Sequence, residues 1–237
     1  MKIKVLFDKD TLKNNLRTGW GVSFLVDGKI LFDTGEKGEW LLENMRILGV
    51  DINEIEAVVI SHDHWDHWGG LWDLLKCKKG MRVYICPNFS REFKDKANKL
   101  GANVIEAEKL TQILPNIFST GEITGAYHGT SMPEQAVLLK TANGITVITG
   151  CAHPGILKIV EKAKIKFPHE PVYLVLGGFH LMESDNRTTE IVVEGFKKMG
   201  IKKVGPTHCT GRTATELFKK EYKDNFVEVK VGKIIEV

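Results

Sequence analysis

The densest group of metal-binding side chains in the sequence is Ser61-His62-Asp63-His64-Trp65-Asp66-His67, followed after Trp68 by Gly69-Gly70. The run closes an apolar segment, 57–60, that reads as a buried strand, and it leads into a helical pattern. A loop at the carboxyl end of a strand can aim His62 and His64 at one cation while Asp66 and His67, entering the helix, face a second. Such a site needs further ligands from elsewhere in the chain. The competing reading is a polar loop whose histidines coincide by chance.

Three other apolar runs end in a histidine: Thr149-Gly150-Cys151-Ala152-His153-Pro154-Gly155, Gly177-Gly178-Phe179-His180, and Gly205-Pro206-Thr207-His208-Cys209-Thr210-Gly211. A lone histidine in that position is usually a hydrogen-bonded structural residue. Six of the eight histidines nevertheless fall at these ends or in the first loop, which favours convergence on one site. His128 and His169 lack that context and read as surface or substrate-loop residues. Past His208, the residues Thr210, Gly211 and Arg212 open a helical run, where backbone N–H donors and a guanidinium would hold an anion. The alternative is that Thr210 caps the helix and Arg212 is solvated. Arg187, with Thr188 and Thr189, is a second anion candidate after His180.

The elements that must position these residues alternate along the chain. Strand-length apolar runs occupy 3–7, 22–26, 30–32, 57–60, 83–86, 136–139, 145–149 and 172–176; helical spacing occupies 39–48, 71–76, 91–100, 156–167, 188–199 and 213–220. Gly49 and Gly101 follow two of the helices as C-terminal caps. Early strands lie close together, as in antiparallel meanders, and helices intervene more often later, which predicts mixed sheets with helices outside. The stretch 106–117 fits neither pattern. No linker or repeat divides the chain, so a single domain over residues 1–237 is expected.

Composition sets outer bounds. A chain of 237 residues, 43% hydrophobic and 27% charged, is in the ordinary globular range, and a net charge of +3 predicts no broad nucleic-acid or anionic-membrane surface. No signal-like or membrane-spanning segment is evident, and the four cysteines form no CxxC pair, so a cytoplasmic, reducing location is expected. Any partner should be a small anionic substrate.

The pattern HxHxDH after an apolar strand, with Leu31-Phe32-Asp33-Thr34-Gly35 upstream, resembles the metallo-β-lactamase superfamily over nearly the whole chain. The segments TGCAHPG, GGFH and PTHCTG resemble its subgroup containing the archaeal dihydropterin-ribofuranosylaminobenzene phosphate synthase of methanopterin biosynthesis. This resemblance implies an αββα sandwich, two mixed sheets flanked by helices, with a dinuclear metal site at one edge. It implies that His62, His64 and His153 hold one metal and Asp66, His67 and His208 the other, with Asp33 orienting a ligand from behind. Asp33 also reads as a plain turn carboxylate. The better-known hydrolases of the family add a His from a Thr-Pro-Gly-His-Thr-like segment and an Asp from Thr-Gly-Asp. Here the corresponding stretches are Ser119-Thr120-Gly121-Glu122-Ile123-Thr124 and Thr149-Gly150-Cys151. Cys151 either replaces the missing carboxylate as a thiolate or is a small buried residue. His180 is either a substrate-facing acid/base or structural. The implied cofactors are two divalent ions, zinc foremost, with iron or manganese as alternatives.

Two such ions about 3.5–4 Å apart would activate a shared water and neutralise charge on an attacked oxygen. Asp66 and His180 are then the candidate catalytic side chains. No GxSxG elbow supports a serine hydrolase, and the single Asp33-Thr34-Gly35 triplet does not make an aspartic-protease dyad. The primary expectation is a hydrolase of an anionic, phosphorylated small-molecule ester. The alternative is a transferase joining a dihydropterin pyrophosphate to an arylamine ribosyl phosphate, with Trp20, Trp65, Trp68, Tyr127 or Phe179 available to stack on a pterin. A non-catalytic metal sensor is the third reading, disfavoured by the full ligand set. Relatives with a diiron redox role typically place Glu where His64 stands, so a redox role is not expected.

Overall fold

The computed structural model describes residues 1–237. The first strands are β1 (Lys2–Phe7), β2 (Ser23–Val26), β3 (Ile30–Phe32), β4 (Ala57–Val59), β5 (Arg82–Ile85) and β6 (Asn103–Glu106). Then come β7 (Thr111–Leu114), β8 (Ile117–Ser119), β9 (Ala126–Tyr127), β10 (Thr130–Ser131), β11 (Val137–Thr141), β12 (Gly144–Thr149), β13 (Val172–Gly178), β14 (Lys203–Thr207) and β15 (Ile234–Glu236). The helices are α1 (Gly38–Ile47), α2 (Trp65–Trp68), α3 (Leu71–Cys77), α4 (Arg91–Lys99), α5 (Ile156–Lys166), α6 (Asn186–Lys198) and α7 (Arg212–Tyr222). The chain divides into two compact units, the first formed by Met1–Glu108 with Lys230–Glu236 and the second by Lys109–Val229. No helix is long and apolar enough to cross a membrane.

The first unit holds a seven-stranded sheet in the order β15-β1-β2-β3-β4-β5-β6. β1, β2 and β3 form an antiparallel meander, with the long segment 8–22 joining the first pair and a tight turn joining the second, whereas helices return the chain so that β3, β4, β5 and β6 run parallel. Parallel neighbours put their carboxyl ends on one edge, where ligand sites of α/β sheets arise. Asp33 and the loop from Ser61 therefore leave adjacent strand ends together. Leu41 and Met45 of α1, Leu71, Leu74 and Leu75 of α3, and Phe93 and Ala97 of α4 bury a helical stripe against this sheet.

The second unit holds a six-stranded sheet in the order β14-β13-β12-β11-β8-β7, plus the β9–β10 hairpin. β7, β8, β11 and β12 pair antiparallel, while β12, β13 and β14 are parallel, so the loops carrying Cys151, His153, His180 and His208 all leave one edge. Ile156, Ile159, Val160 and Ala163, spaced i, i+3, i+4 and i+7 on α5, pack in the core with Val192, Val193 and Phe196 of α6 and Phe218 of α7. Phe196 is fully buried between Phe179 and Phe218, with ring centroids 5.3–5.4 Å apart. Its truncation to Ala should cost about 3–5 kcal/mol.

The expected helices are all present, and Gly49 and Gly101 follow α1 and α4 with φ of 65° and 86°. The stretch 106–117 resolves into the end of β6, the short β7 and the start of β8, whose half-exposed residues dilute any alternation. β14 also escaped the pattern because glycine and proline occupy its centre: its sequence is KVGPT.

Candidate metal centre

In the first unit the Asp33-Thr34-Gly35 triplet clamps the histidine loop. Asp33 N–H donates to Val59 O at 2.9 Å, and the main chain there adopts a left-handed φ of 54°. Thr34 donates to His67 O twice, from its N–H at 2.8 Å and from Oγ1 at 3.0 Å. The fully buried Asp33 carboxylate accepts from Ser61 N–H at 2.7 Å and Ser61 Oγ at 2.8 Å, and its Oδ2 lies 2.7 Å from His67 Nδ1. Asp33 is thus both a turn residue and an orienter of His67.

Proton counting along this network fixes two tautomers. The single Ser61 hydroxyl proton goes to Asp33, so its oxygen accepts from His62 Nδ1 at 2.9 Å. The Asp33 carboxylate likewise takes the proton of His67 Nδ1. Both imidazoles therefore carry N–H on the side of the carboxylate and keep Nε2 for a cation, the arrangement usual behind metal-bound histidines. His62 Nε2 lies 3.0 Å from His64 Nδ1, and His67 Nε2 lies 3.3 Å from Asp66 Oδ2. Each pair is two donor atoms side by side, the spacing two ligands of one ion adopt. Burial opposes charge on the His67 ring, but the Asp33 and Asp66 carboxylates outweigh it and hold its pKa well above the ordinary histidine value. Without a cation the ring thus takes up a proton in its place. The donor set fits a divalent metal. Gly21, at φ 94°, lets the backbone touch the Asp66 carbonyl, where any Cβ would collide.

The second unit gathers its own donors. Cys151, His153 and His180 present ligand atoms within 4.8 Å of one another, as do Cys151, His208 and Cys209. The His153 and His180 rings are 4.5 Å apart, and Tyr127 from the β9–β10 hairpin packs 5.1 Å and 5.6 Å from them. Ala152, His180 and His208 have φ of 63°, 53° and 49°. Left-handed backbone at non-glycine residues is costly and clusters at functional sites. A hydrogen bond with Cys209 raises the His180 pKa against the opposing effect of burial. Burial pushes the Cys209 thiol up, yet Cys151, His208 and His180 together bring it well below the usual thiol range.

Glu134, which the sequence did not single out, shapes the Cys151–His153 loop. Its fully buried carboxylate accepts four successive amides: Gly150, Cys151 and Ala152 at 3.1, 2.9 and 3.0 Å on Oε1, and His153 at 2.9 Å on Oε2. The only sequence signal is a carboxylate just ahead of the apolar run at 136–139; its partners are main-chain groups that carry no residue code. Ser61 was visible in the motif, but its role in fixing a tautomer depends on Asp33.

Other expected residues are placed as follows. Thr210 is fully buried and its Oγ1 accepts from Phe179 N–H at 3.0 Å, while α7 starts from Gly211 with no side-chain cap. The capping alternative for Thr210 therefore gives way to a tie between the loops after β13 and β14. Arg187 and Arg212 are exposed, as are His128 and His169. Phe179 belongs to the core, and Trp68 packs on Trp72 and Phe93 while donating to Asp63 at 3.1 Å. Trp65 is exposed.

The profile of the Metallo-beta-lactamase superfamily matches residues 21–208. The 7,8-dihydropterin-6-methyl-4-(beta-D-ribofuranosyl)-aminobenzene-5'-phosphate synthase of Methanocaldococcus jannaschii is 30% identical, covering 91% of this chain and 89% of its own. A second, uncharacterized protein of that archaeon is also 30% identical over 98% and 99% of the two chains. Among solved structures, a metal-dependent hydrolase of the beta-lactamase superfamily matches with TM-score 0.84 and 31% identity over 100% of this chain and 99% of its own.

Proposed function

The chain belongs to the metallo-beta-lactamase superfamily, and from that premise we propose that it is a metal-dependent hydrolase of a small, anionic, phosphorylated ester. In this reading His62, His64 and His153 hold one divalent ion and Asp66, His67 and His208 hold a second. The observation that carries it is the Asp33–Ser61 network, which places an N–H on Nδ1 of both His62 and His67 and so assigns Nε2 of each ring to the cation. Support for assigning all six to one pair of ions comes from the family profile, whose matched residues include them. The bound ions would supply Lewis-acid activation and a water of lowered pKa.

The chain's own groups complete the chemistry. Asp66 and His67, both buried, set a carboxylate oxygen and a ring nitrogen 3.3 Å apart. His180, with its raised pKa, holds a proton for a departing oxygen. Arg212 and Gly211 at the start of α7, and Arg187 in the first turn of α6, offer a guanidinium and amide donors to the substrate's anionic group. The buried hydroxyl of Thr210 serves this region by tying the loops together. Cys151 supplies a soft donor where hydrolases of the family carry a carboxylate, which favours zinc or iron over manganese. A net charge of +3 supports a small-molecule substrate over nucleic acid or membrane, and a reducing, cytoplasmic setting suits four cysteines that form no disulfide.

A second reading is favoured by the 30% identity to the archaeal synthase across most of both chains. Both reactions expel an anionic group and differ in the acceptor, water in one and an arylamine in the other. Zinc-loaded protein incubated with bis(p-nitrophenyl) phosphate, generic esters, and a dihydropterin pyrophosphate with an arylamine ribosyl phosphate separates them. Hydrolysis products abolished by chelator are expected. A coupled pterin-arylamine product would establish the second reading, and turnover insensitive to chelator would overturn both.

A further inference from the structure

Cys209 has no part in the metal reading, yet it sits beside Cys151 in the second unit. The two sulfurs lie within 4.8 Å of one another, and Cys209 Sγ is 3.5 Å from the Cys151 carbonyl oxygen. Both residues are buried, each about one-twentieth exposed, and neither is in a disulfide. They stand on the loops after β12 and β14, and the strand between these two, β13, meets them with a glycine. A Cβ on Gly178 would lie 2.3 Å from Gly150 O, 2.7 Å from Cys209 Sγ and 3.3 Å from Cys151 Cα, so only glycine fits against the two loops that carry the thiols. Neither other cysteine offers such a pairing within its unit: Cys77 is exposed on α3 and Cys86 is buried after β5.

We propose that Cys151 and Cys209 are an oxidation site, closing a reversible intramolecular disulfide that switches off metal uptake. The bond length of about 2.05 Å requires the sulfurs to close by roughly 3 Å at most, within reach of side-chain rotation. The oxidant is a low-molecular-weight disulfide. One cysteine displaces a thiol from it to form a mixed disulfide; the second cysteine then attacks that sulfur and releases the other thiol. The two electrons and two protons lost by the cysteines leave in those two small thiols. The new bond tethers the loops that carry His153 and His208 and removes the Cys151 sulfur as a donor. The bond itself stands on the sulfur geometry alone, whereas its effect on metal uptake rests on the proposed metal site.

The test uses metal-free, full-length protein carrying Cys77→Ser, treated with oxidised glutathione. Two of its three thiols should disappear, peptide mass mapping should show Cys151 joined to Cys209, and dithiothreitol should reverse the change. Adding Cys209→Ser should leave a glutathione adduct on Cys151 that does not resolve. Zinc affinity of the oxidised form should fall at least tenfold. Three intact thiols, under conditions that glutathionylate Cys77 in the wild type, overturn the oxidation site. A bond that leaves zinc affinity within twofold overturns the switch. A reduced protein that takes up no zinc refutes the metal reading instead, and the bond is then judged on the mass map alone.

Discussion

Replacing Asp33 with Asn tests the network behind the first histidine loop with little steric change. Asn tolerates the left-handed backbone that Asp33 adopts at φ 54°, so the main chain need not move. The carboxylate accepts three hydrogen bonds, two from Ser61 and one from His67. A carboxamide has one oxygen to offer. If its NH2 faces His67, the ring must accept at Nδ1 and carry its proton on Nε2, the atom meant for the metal. If the amide flips, its NH2 meets the Ser61 N–H and a buried donor is left unpaired. Either way one charge-assisted hydrogen bond is lost, about 1.5–3 kcal/mol, or roughly 10- to 150-fold in metal affinity. A proton effect runs the other way, because the neutral carboxamide no longer stabilises His67 in its charged form. Zinc affinity should therefore be compared by chelator competition on the alkaline plateau of each protein. Affinity within twofold of wild type there would refute the tautomer argument.

Glu134→Gln should destabilise the fold by about 2–4 kcal/mol, since its NH2 must oppose an amide N–H wherever it points, and urea unfolding will read this. It should also weaken zinc binding, and a conservative Glu134→Asp should not restore either. The raised pKa of His67 fixes two opposite pH dependences. In the metal-free protein the charged His67 contributes stability that is fully present below the unfolded value of about 6.5 and is lost as pH rises through the folded value. Zinc must displace that proton, so binding should release protons and tighten as pH rises, visible as buffer-dependent heats in calorimetry. Buffer-independent heats would contradict it.

Much of this centre was legible before any coordinates. The apolar run at 57–60 becomes β4 with its histidine loop, and the runs before Cys151 and His180 become β12 and β13, because buried parallel strands must be continuously apolar and must end on one edge. Asp33 read evenly as a turn residue or an orienter, and its side chain and backbone serve both roles. Glu134 was invisible for a physical reason: its partners are four backbone amides 16 to 19 residues onward, identical in any sequence. The positive φ of His180 and His208 was equally hidden, since only glycine and asparagine announce that conformation. The hairpin bearing Tyr127 is too short for a period-two pattern, with two residues per strand.

The proposal on which the rest depends is that His62, His64, His153, Asp66, His67 and His208 hold two ions. Crystals grown with zinc and measured across its absorption edge would locate them. Two anomalous peaks are expected, one about 2.0–2.1 Å from nitrogens of His62, His64 and His153, the other at bonding distance from Asp66, His67 and His208. Zinc found only at surface residues, with these six donors unligated, would contradict it.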